Sequence, residues 1–211
     1  PEEIMVGVGG KHIIYNAMMA TLNPGDEVII PAPFWVSYPD MVLLAEGNPV
    51  IIKCDSNQNF KITPSQLEQS ITPKTKWLFL NSPSNPTGAI YSKNELKSLS
   101  EVLLKFPEVL ILTDDIYEKV IYDNFDFNTI VSVEPRLKNR VLTLNGVSKA
   151  YCMTGWRLGY CGGPKEIIAS MNKIQSQSTT STSSITMAAS VEALNGDQTF
   201  IEIHNKEFKK R

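Results

Sequence analysis

The 211-residue chain is poor in the residues that build metal centres and disulfide frameworks: it has two histidines, His12 and His204, and three cysteines, Cys54, Cys152 and Cys161. Two histidines far apart argue against a His-based metal site, and no metal is expected. An odd cysteine count with no Cys-x-x-Cys pair disfavours a disulfide framework and a zinc knuckle, and suits a reducing cytoplasm. No apolar run approaches the roughly 20 residues that a membrane-spanning helix needs. No signal peptide is visible. Neither sign of charge is in excess: the formal net charge is -2 and the sequence pI ≈ 5.8. That gives no reason to expect nucleic acid or an anionic membrane as a partner. Internal repeats and low-complexity linkers are also lacking. The chain starts at Pro1 without a Met and stops at Lys209-Lys210-Arg211 inside a helical pattern. The expectation is a piece of a longer protein.

What is present is a globular composition, 42% hydrophobic and 20% charged, in a chain long enough for a sizeable core. Short apolar runs alternate with helical patterns, the signature of a mostly parallel sheet covered by helices. Strands are expected at Met5–Val8, Glu27–Ile30, Val50–Cys54, Lys76–Leu80, Val109–Thr113, Val141–Leu144 and Leu158–Cys161. Thr63-Pro64-Ser65-Gln66 and Ser92-Lys93-Asn94-Glu95 carry helix-start signals, each with a hydroxyl cap and an amide or acid three residues on. Leu96, Leu99, Val102 and Leu103 then line one face. Further helices are expected from Lys11 to Leu22, from Pro164, over Ile185–Leu194 and over Gln198–Arg211. The Ser/Thr-rich stretch Gln175–Ser184 reads as a loop.

Chemistry-bearing residues gather just after the apolar runs, where open α/β sheets bind ligands. Lys149 follows the run Val141–Leu144, and Arg157 comes eight positions later. A lysine there, beside a cation able to clamp phosphate, suits a Schiff-base lysine for a phosphorylated aldehyde cofactor. Gly7-Val8-Gly9-Gly10-Lys11 stands between a strand and a helix. A Walker A loop would need Gly at position 5 and Ser or Thr at 12, and the dinucleotide fingerprint a Gly at 12; Met5 and His12 stand there. From the pattern alone, a tight turn capping a helix outranks a phosphate turn. Trp35 offers a flat face for a ring, with Tyr38 in the same wall, although core packing is the commoner role of a Trp. Asn81-Ser82-Pro83-Ser84-Asn85-Pro86-Thr87-Gly88 is stiffened by its prolines and brings two amides to a strand end. Asp114-Asp115-Ile116-Tyr117 closes another strand. Adjacent strand residues point to opposite faces, so these acids are not a metal or glycosidase pair. One is expected to face the site and the other outward. A carboxylate there can hold a protonated ring nitrogen, with the Tyr117 hydroxyl near a ring oxygen.

Val8-Gly9-Gly10-Lys11, Pro33-Phe34-Trp35-Val36-Ser37-Tyr38-Pro39, the Asn81–Gly88 loop, Asp114–Tyr117, and Ser148-Lys149-Ala150 through Thr154-Gly155-Trp156-Arg157 occur together in one order. In this the chain resembles the fold type I, class I aminotransferases that use pyridoxal 5′-phosphate, and within them the bacterial aspartate aminotransferase subgroup. The resemblance covers residues from about 5 to 195. It implies a three-layer αβα large domain over 1–196, with 197–211 beginning the helix that leads to an absent small domain. It implies an internal aldimine between Lys149 and the cofactor, with the freed lysine moving the substrate α-proton. Asp114 would pair with the pyridinium nitrogen. Tyr117 and Asn85 would bond the phenolic oxygen, and Trp35 would stack on the ring. Arg157, with Gly9 and Gly10 opposite, would hold the phosphate, and Ser148 would add a contact. Gly146 stands where some relatives carry a phosphate-binding Ser. Lys11 is associated with the distal carboxylate of a dicarboxylic substrate, a plain phosphate contact or solvated lysine being an equal alternative; Trp35 and Asn85 would also border the substrate.

The implied substrates are an amino acid, aspartate or glutamate, and a 2-oxo acid, handled by a cytoplasmic homodimer. The residues supplying the α-carboxylate arginine lie outside this sequence, so the fragment alone is expected to turn over poorly. Two alternatives use the same residues: another pyridoxal-phosphate reaction such as β-elimination, or an aminotransferase-like sensor domain of a transcription regulator. Retention of Lys149, Asp114, Tyr117, Asn85 and Arg157 together argues against an inactive relative.

Overall fold

The computed structural model describes all 211 residues. Its strands are β1 (Ile4–Gly7), β2 (Glu27–Ala32), β3 (Asn48–Lys53), β4 (Thr75–Asn81), β5 (Leu110–Asp114), β6 (Val141–Gly146) and β7 (Gly159–Gly162). Its helices are α1 (Gly10–Thr21), α2 (Ser37–Leu44), α3 (Pro64–Ser70), α4 (Lys93–Leu103), α5 (Ile130–Val133), α6 (Lys165–Ser176), α7 (Ser184–Asn195) and α8 (Thr199–Lys210). The strands form one seven-stranded sheet in the order β1-β7-β6-β5-β4-β2-β3. The neighbours from β6 across to β3 pair in parallel, and β7 alone runs against both β6 and β1.

The period-2 alternation of the strands sorts their side chains into two cores. Val28, Ile30, Trp77, Phe79, Leu112, Leu142 and Leu144 pack with Ile13, Ile14 and Met18 of α1, Tyr38 and Met41 of α2, and Ile168 and Met171 of α6. Ile29, Leu78, Leu80 and Ile111 point the other way, onto Leu67 of α3, Leu96, Leu99 and Leu103 of α4, and Ile130 of α5. Buried on both faces, the parallel strands read as nearly continuous apolar runs. The result is a helix–sheet–helix sandwich, as the sequence led one to expect. A third, smaller cluster joins Val147, Ala150, Tyr151 and Leu158 to Ile201 of α8.

Both expected capping boxes form. The Thr63 hydroxyl accepts from Gln66 N at 3.2 Å, while Gln66 Oε1 accepts from Thr63 N at 3.0 Å. Ser92 and Glu95 repeat the exchange at 3.3 and 2.8 Å. Each box satisfies helix-start donors that would otherwise be orphaned.

Three differences from the sequence reading stand out. Helix α2, over Ser37–Leu44, is not among the expected helices. Pro39 falls in the first turn, where the missing N–H has no intrahelical partner to lose. Helix α6 runs on to Ser176, so the expected loop shrinks to residues 177–183. Strand β1 stops at Gly7 rather than Val8, because Gly9 N turns back to Gly7 O at 2.8 Å and Val8 N donates to His12 Nδ1 at 3.3 Å.

Candidate active site

Parallel strands β4, β5 and β6 end side by side, with Asn81 in register with Asp114. Their carboxyl ends open onto a cavity of about 300 Å³, closed on another side by the start of α1. Gly10, Lys11, Trp35, Asn85, Asp114, Tyr117, Ser148, Lys149 and Arg157 all line it. These residues lie in five stretches of sequence and meet only through the fold. Gly9 stands directly behind Arg157: a Cβ there would lie 2.4 Å from Arg157 Nη2. With its φ of 86°, this position requires glycine twice over.

Local hydrogen bonds fix each group. Asn81 Nδ2 donates to Asp114 O at 2.8 Å, and Asn81 Oδ1 accepts from Asn85 N at 2.7 Å, so one amide hangs the Asn-Pro loop on the end of β5. Arg157, itself at φ 54°, donates from Nη1 to Thr154 O at 2.8 Å, which leaves the rest of its fork free to meet an anion. No side chain caps the start of α1, and an uncapped helix start favours a negative charge. Lys149 Nζ lies 5.5 Å from the centroid of the Tyr117 ring, and Lys11 Nζ lies 4.9 Å from that of Trp35.

The two acids separate as the strand pleat requires. Asp114 faces the cavity and is buried. Burial raises its pKa; a hydrogen bond from Tyr38 Oη to Oδ2 at 2.7 Å, the Ile116 N–H and the positive charge of Lys149 oppose that rise. Beside this carboxylate, and buried itself, Tyr38 is held well above its usual pKa and remains a donor. Asp115 corrects the expectation that the second acid points outward. It is 4% exposed, and burial pushes its pKa up to about 8, helped by the nearby charges of Asp114 and Glu118. The hydroxyls of Thr129 and Thr113 lie close enough to oppose that rise. Neither hydroxyl, however, makes a hydrogen bond of good geometry. Asp115 is therefore a buried acid that keeps its proton near neutrality.

Two contributors escape sequence reasoning. Tyr38 was read only as wall, yet it is the donor to Asp114 across 76 residues of sequence. Its place three residues after Trp35, one helical turn on, was the available signal. Gly159 on β7 abuts the phosphate-type turn: a Cβ there would lie 2.5 Å from Gly10 N and 2.6 Å from Gly9 C. Nothing in the local sequence announces that approach.

The fold and the geometry together define the large domain of a fold type I enzyme. The chain belongs to the class I and II aminotransferases, whose family model, "Aminotransferase class I and II", matches residues 1–211. It is 58% identical over 211 residues to an aspartate/prephenate aminotransferase of Cereibacter sphaeroides, covering 100% of this chain and 53% of that protein. The crystal structure of the aspartate aminotransferase from Rhizobium meliloti superposes with a TM-score of 0.98 at 56% identity, over 99% of this chain and 52% of that one. The aspartate aminotransferase from Thermus thermophilus, solved with maleate, gives a TM-score of 0.94 at 41% identity, over 100% of this chain and 55% of that one. The chain thus spans about half the length of the relatives it matches.

Proposed function

We propose that this chain carries the pyridoxal-phosphate-binding floor of an aminotransferase that moves an amino group between aspartate or glutamate and a 2-oxo acid. The observation that carries the reading is the convergence of an amine, an acid and an anion cradle on one cavity: Lys149, Asp114, and Arg157 with the Gly9–Gly10 turn.

The residues fit the cofactor's chemistry. A phosphate wants positive charge and free donors, which Arg157 and the uncapped start of α1 offer, with Ser148 on the same wall. The Gly9 cradle is a space that a Cβ would fill. A pyridine nitrogen wants a buried carboxylate, and Asp114 is one, steadied from behind by Tyr38. A flat ring wants an aromatic wall, and Trp35 lines the cavity. When bound, the cofactor supplies an aldehyde that condenses with amines and a ring that withdraws electrons from the attached carbon.

Lys149 Nζ supplies the amine of attachment. With the cofactor bound, Lys149 Nζ would be the base that removes and returns the proton at the substrate α-carbon. Asp114 would hold a positive charge on the ring nitrogen of the bound cofactor. Tyr117 and Asn85 supply the hydrogen-bond donors near the reacting end. Lys11, above Trp35 at the mouth, binds the distal carboxylate of a dicarboxylic substrate. The naming of relatives for aspartate and prephenate, and the Thermus protein solved with maleate, support that assignment.

The protein is also proposed to be a cytoplasmic homodimer, with residues 197–211 starting the helix to a small domain. No helix is long and apolar enough to cross a membrane. Helix α7 offers a face for a second copy, with Ile185 73% and Val191 59% exposed.

The test is a visible absorption spectrum of the full-length protein with pyridoxal phosphate, before and after aspartate. The expected result is a borohydride-reducible band that aspartate changes, with a 2-oxo acid formed. No band, or cleavage of cystathionine without transamination of aspartate, would overturn the reading. Robust aspartate–2-oxoglutarate turnover by residues 1–211 alone would overturn the claim that the substrate wall lies elsewhere.

A further inference from the structure

Two turns carry the reactive pair. One begins at Tyr117, where Val120 N donates to Tyr117 O at 2.8 Å; the other begins at Lys149, where Cys152 N donates to Lys149 O at 3.1 Å. Each turn also presents a polar side chain away from the cavity, Lys119 from the first and Tyr151 from the second. Lys119 Nζ donates to Tyr151 Oη at 2.8 Å and lies 5.3 Å from the centroid of the Tyr151 ring. Gln198, at the entry to α8, closes the group: its Oε1 accepts from Tyr151 Oη at 3.0 Å and from Lys119 Nζ at 3.3 Å. Its Nε2 donates to Ala193 O and Gly196 O, both at 2.9 Å, so the amide is tied to the α7–α8 connection and all its bonding capacity is used.

We infer that Lys119, Tyr151 and Gln198 are positioning residues that tie α8 to both turns at once, so that the docking of α8 sets the spacing of Lys149 and Tyr117. This rests on the cofactor reading above. Three observations favour a positioning role over simple attachment of a helix. The group bridges two turns, whereas one tether would hold the helix. It spends a lysine that has no carboxylate partner on two neutral acceptors and an aromatic face. A loosely held turn would not keep Cys152 at φ 54°, a region that non-glycine residues occupy only when their surroundings fix them. Further tethers run the same way: Asn205 Nδ2 donates to Lys119 O at 2.7 Å, and Lys209 pairs with Asp123 at the outer edge. Tyr151 itself is buried in the small cluster that includes Ile201 of α8.

The test has two arms, both in the full-length protein. Hydrogen exchange is measured without cofactor for Gln198→Ala and for the milder Tyr151→Phe, which keeps the ring and loses the hydroxyl. Exchange is expected to quicken in residues 117–122 and 149–153 together, while β4 stays as in the parent. Quickening confined to 196–210 would overturn the inference. With pyridoxal phosphate, the pH midpoint of the visible band is expected to move by about 0.5 unit or more in both variants. It should stay put in Lys209→Ala, which cuts only the outer tether. An unmoved midpoint with quickened exchange would reduce the group to a structural tether and refute positioning. If the parent shows no band, the cofactor reading has failed instead, and the exchange arm alone decides whether α8 holds both turns.

Discussion

The cavity floor and helix α7 handle polar groups in opposite ways. At the carboxyl edge of the sheet, polar groups are partnered across long stretches of sequence, Tyr38 and Asn81 both serving Asp114, and Asn81 also holds Asn85 nearby. On α7 the polar residues Thr186 and Ser190 are turned inward, and Ser190 Oγ finds no hydrogen-bond partner. Its apolar Ile185 and Val191 face out. In the floor Asp114, Asn81 and Asn85 all have partners, whereas just behind it the Thr113 hydroxyl has none. The α7 surface exposes apolar residues, which is why it is the face proposed above for a second copy.

The largest expected effect breaks the floor at its centre. Lys149→Ala in the full-length protein should abolish the borohydride-reducible band and lower turnover by about 10²–10⁴-fold or more. Persistence of that band would remove Lys149 from its role. Next comes the split between the acids. Asp114→Ala should lose most of the turnover with modest change in melting temperature, whereas Asp115→Ala should act mainly on stability. If Asp115→Ala were the worse for turnover, the choice of the inward acid would be wrong. A smaller effect tests the other region: Val191→Asp should weaken self-association, read by light scattering after size exclusion, and leave the unfolding transition of the protomer nearly unchanged, as surface substitutions usually do. An unaltered oligomer would take α7 out of the interface.

Much of this was legible in the chain itself, for physical reasons. Parallel strands buried on both sides must be apolar runs, and the capping boxes at Thr63 and Ser92 announce helix starts by local hydrogen bonding alone. The cavity residues were legible because each sits in a short motif just past a strand end. What stayed hidden depends on contacts between distant segments. The Tyr38–Asp114 bond joins a helix after β2 to the end of β5. The need for glycine at 159 arises only because β7 lies against the turn before α1. Helix α2 is short, eight residues, and carries no side-chain cap at its start that would announce it. The burial of Asp115 was missed because alternation tells which face a residue takes, and not whether α5 then covers that face.

That buried acid gives the gentlest test, because it lies next to the floor residue Asp114, outside the cavity lining, and has no hydrogen bond of good geometry from Thr113 or Thr129. Its pKa in the folded protein is raised to about 8, against about 3.9 for an unfolded aspartate. Between those values the folded state binds the extra proton. Its contribution to stability is therefore fullest below the unfolded pKa and is lost as pH rises through the folded one. Asp115→Asn keeps the shape and carries no titrating proton. Relative to the parent it should gain stability as pH rises from 5.5 to 8.5, on the order of 1 kcal/mol per pH unit at most. Denaturant titrations of both proteins at several pH values measure this, and parallel stability–pH curves would show that Asp115 does not hold its proton. The asparagine amide would also offer donors to the unpartnered Thr113 and Thr129 hydroxyls. A gain already present at pH 5.5 would report that repair, and only the part that grows with pH belongs to the proton.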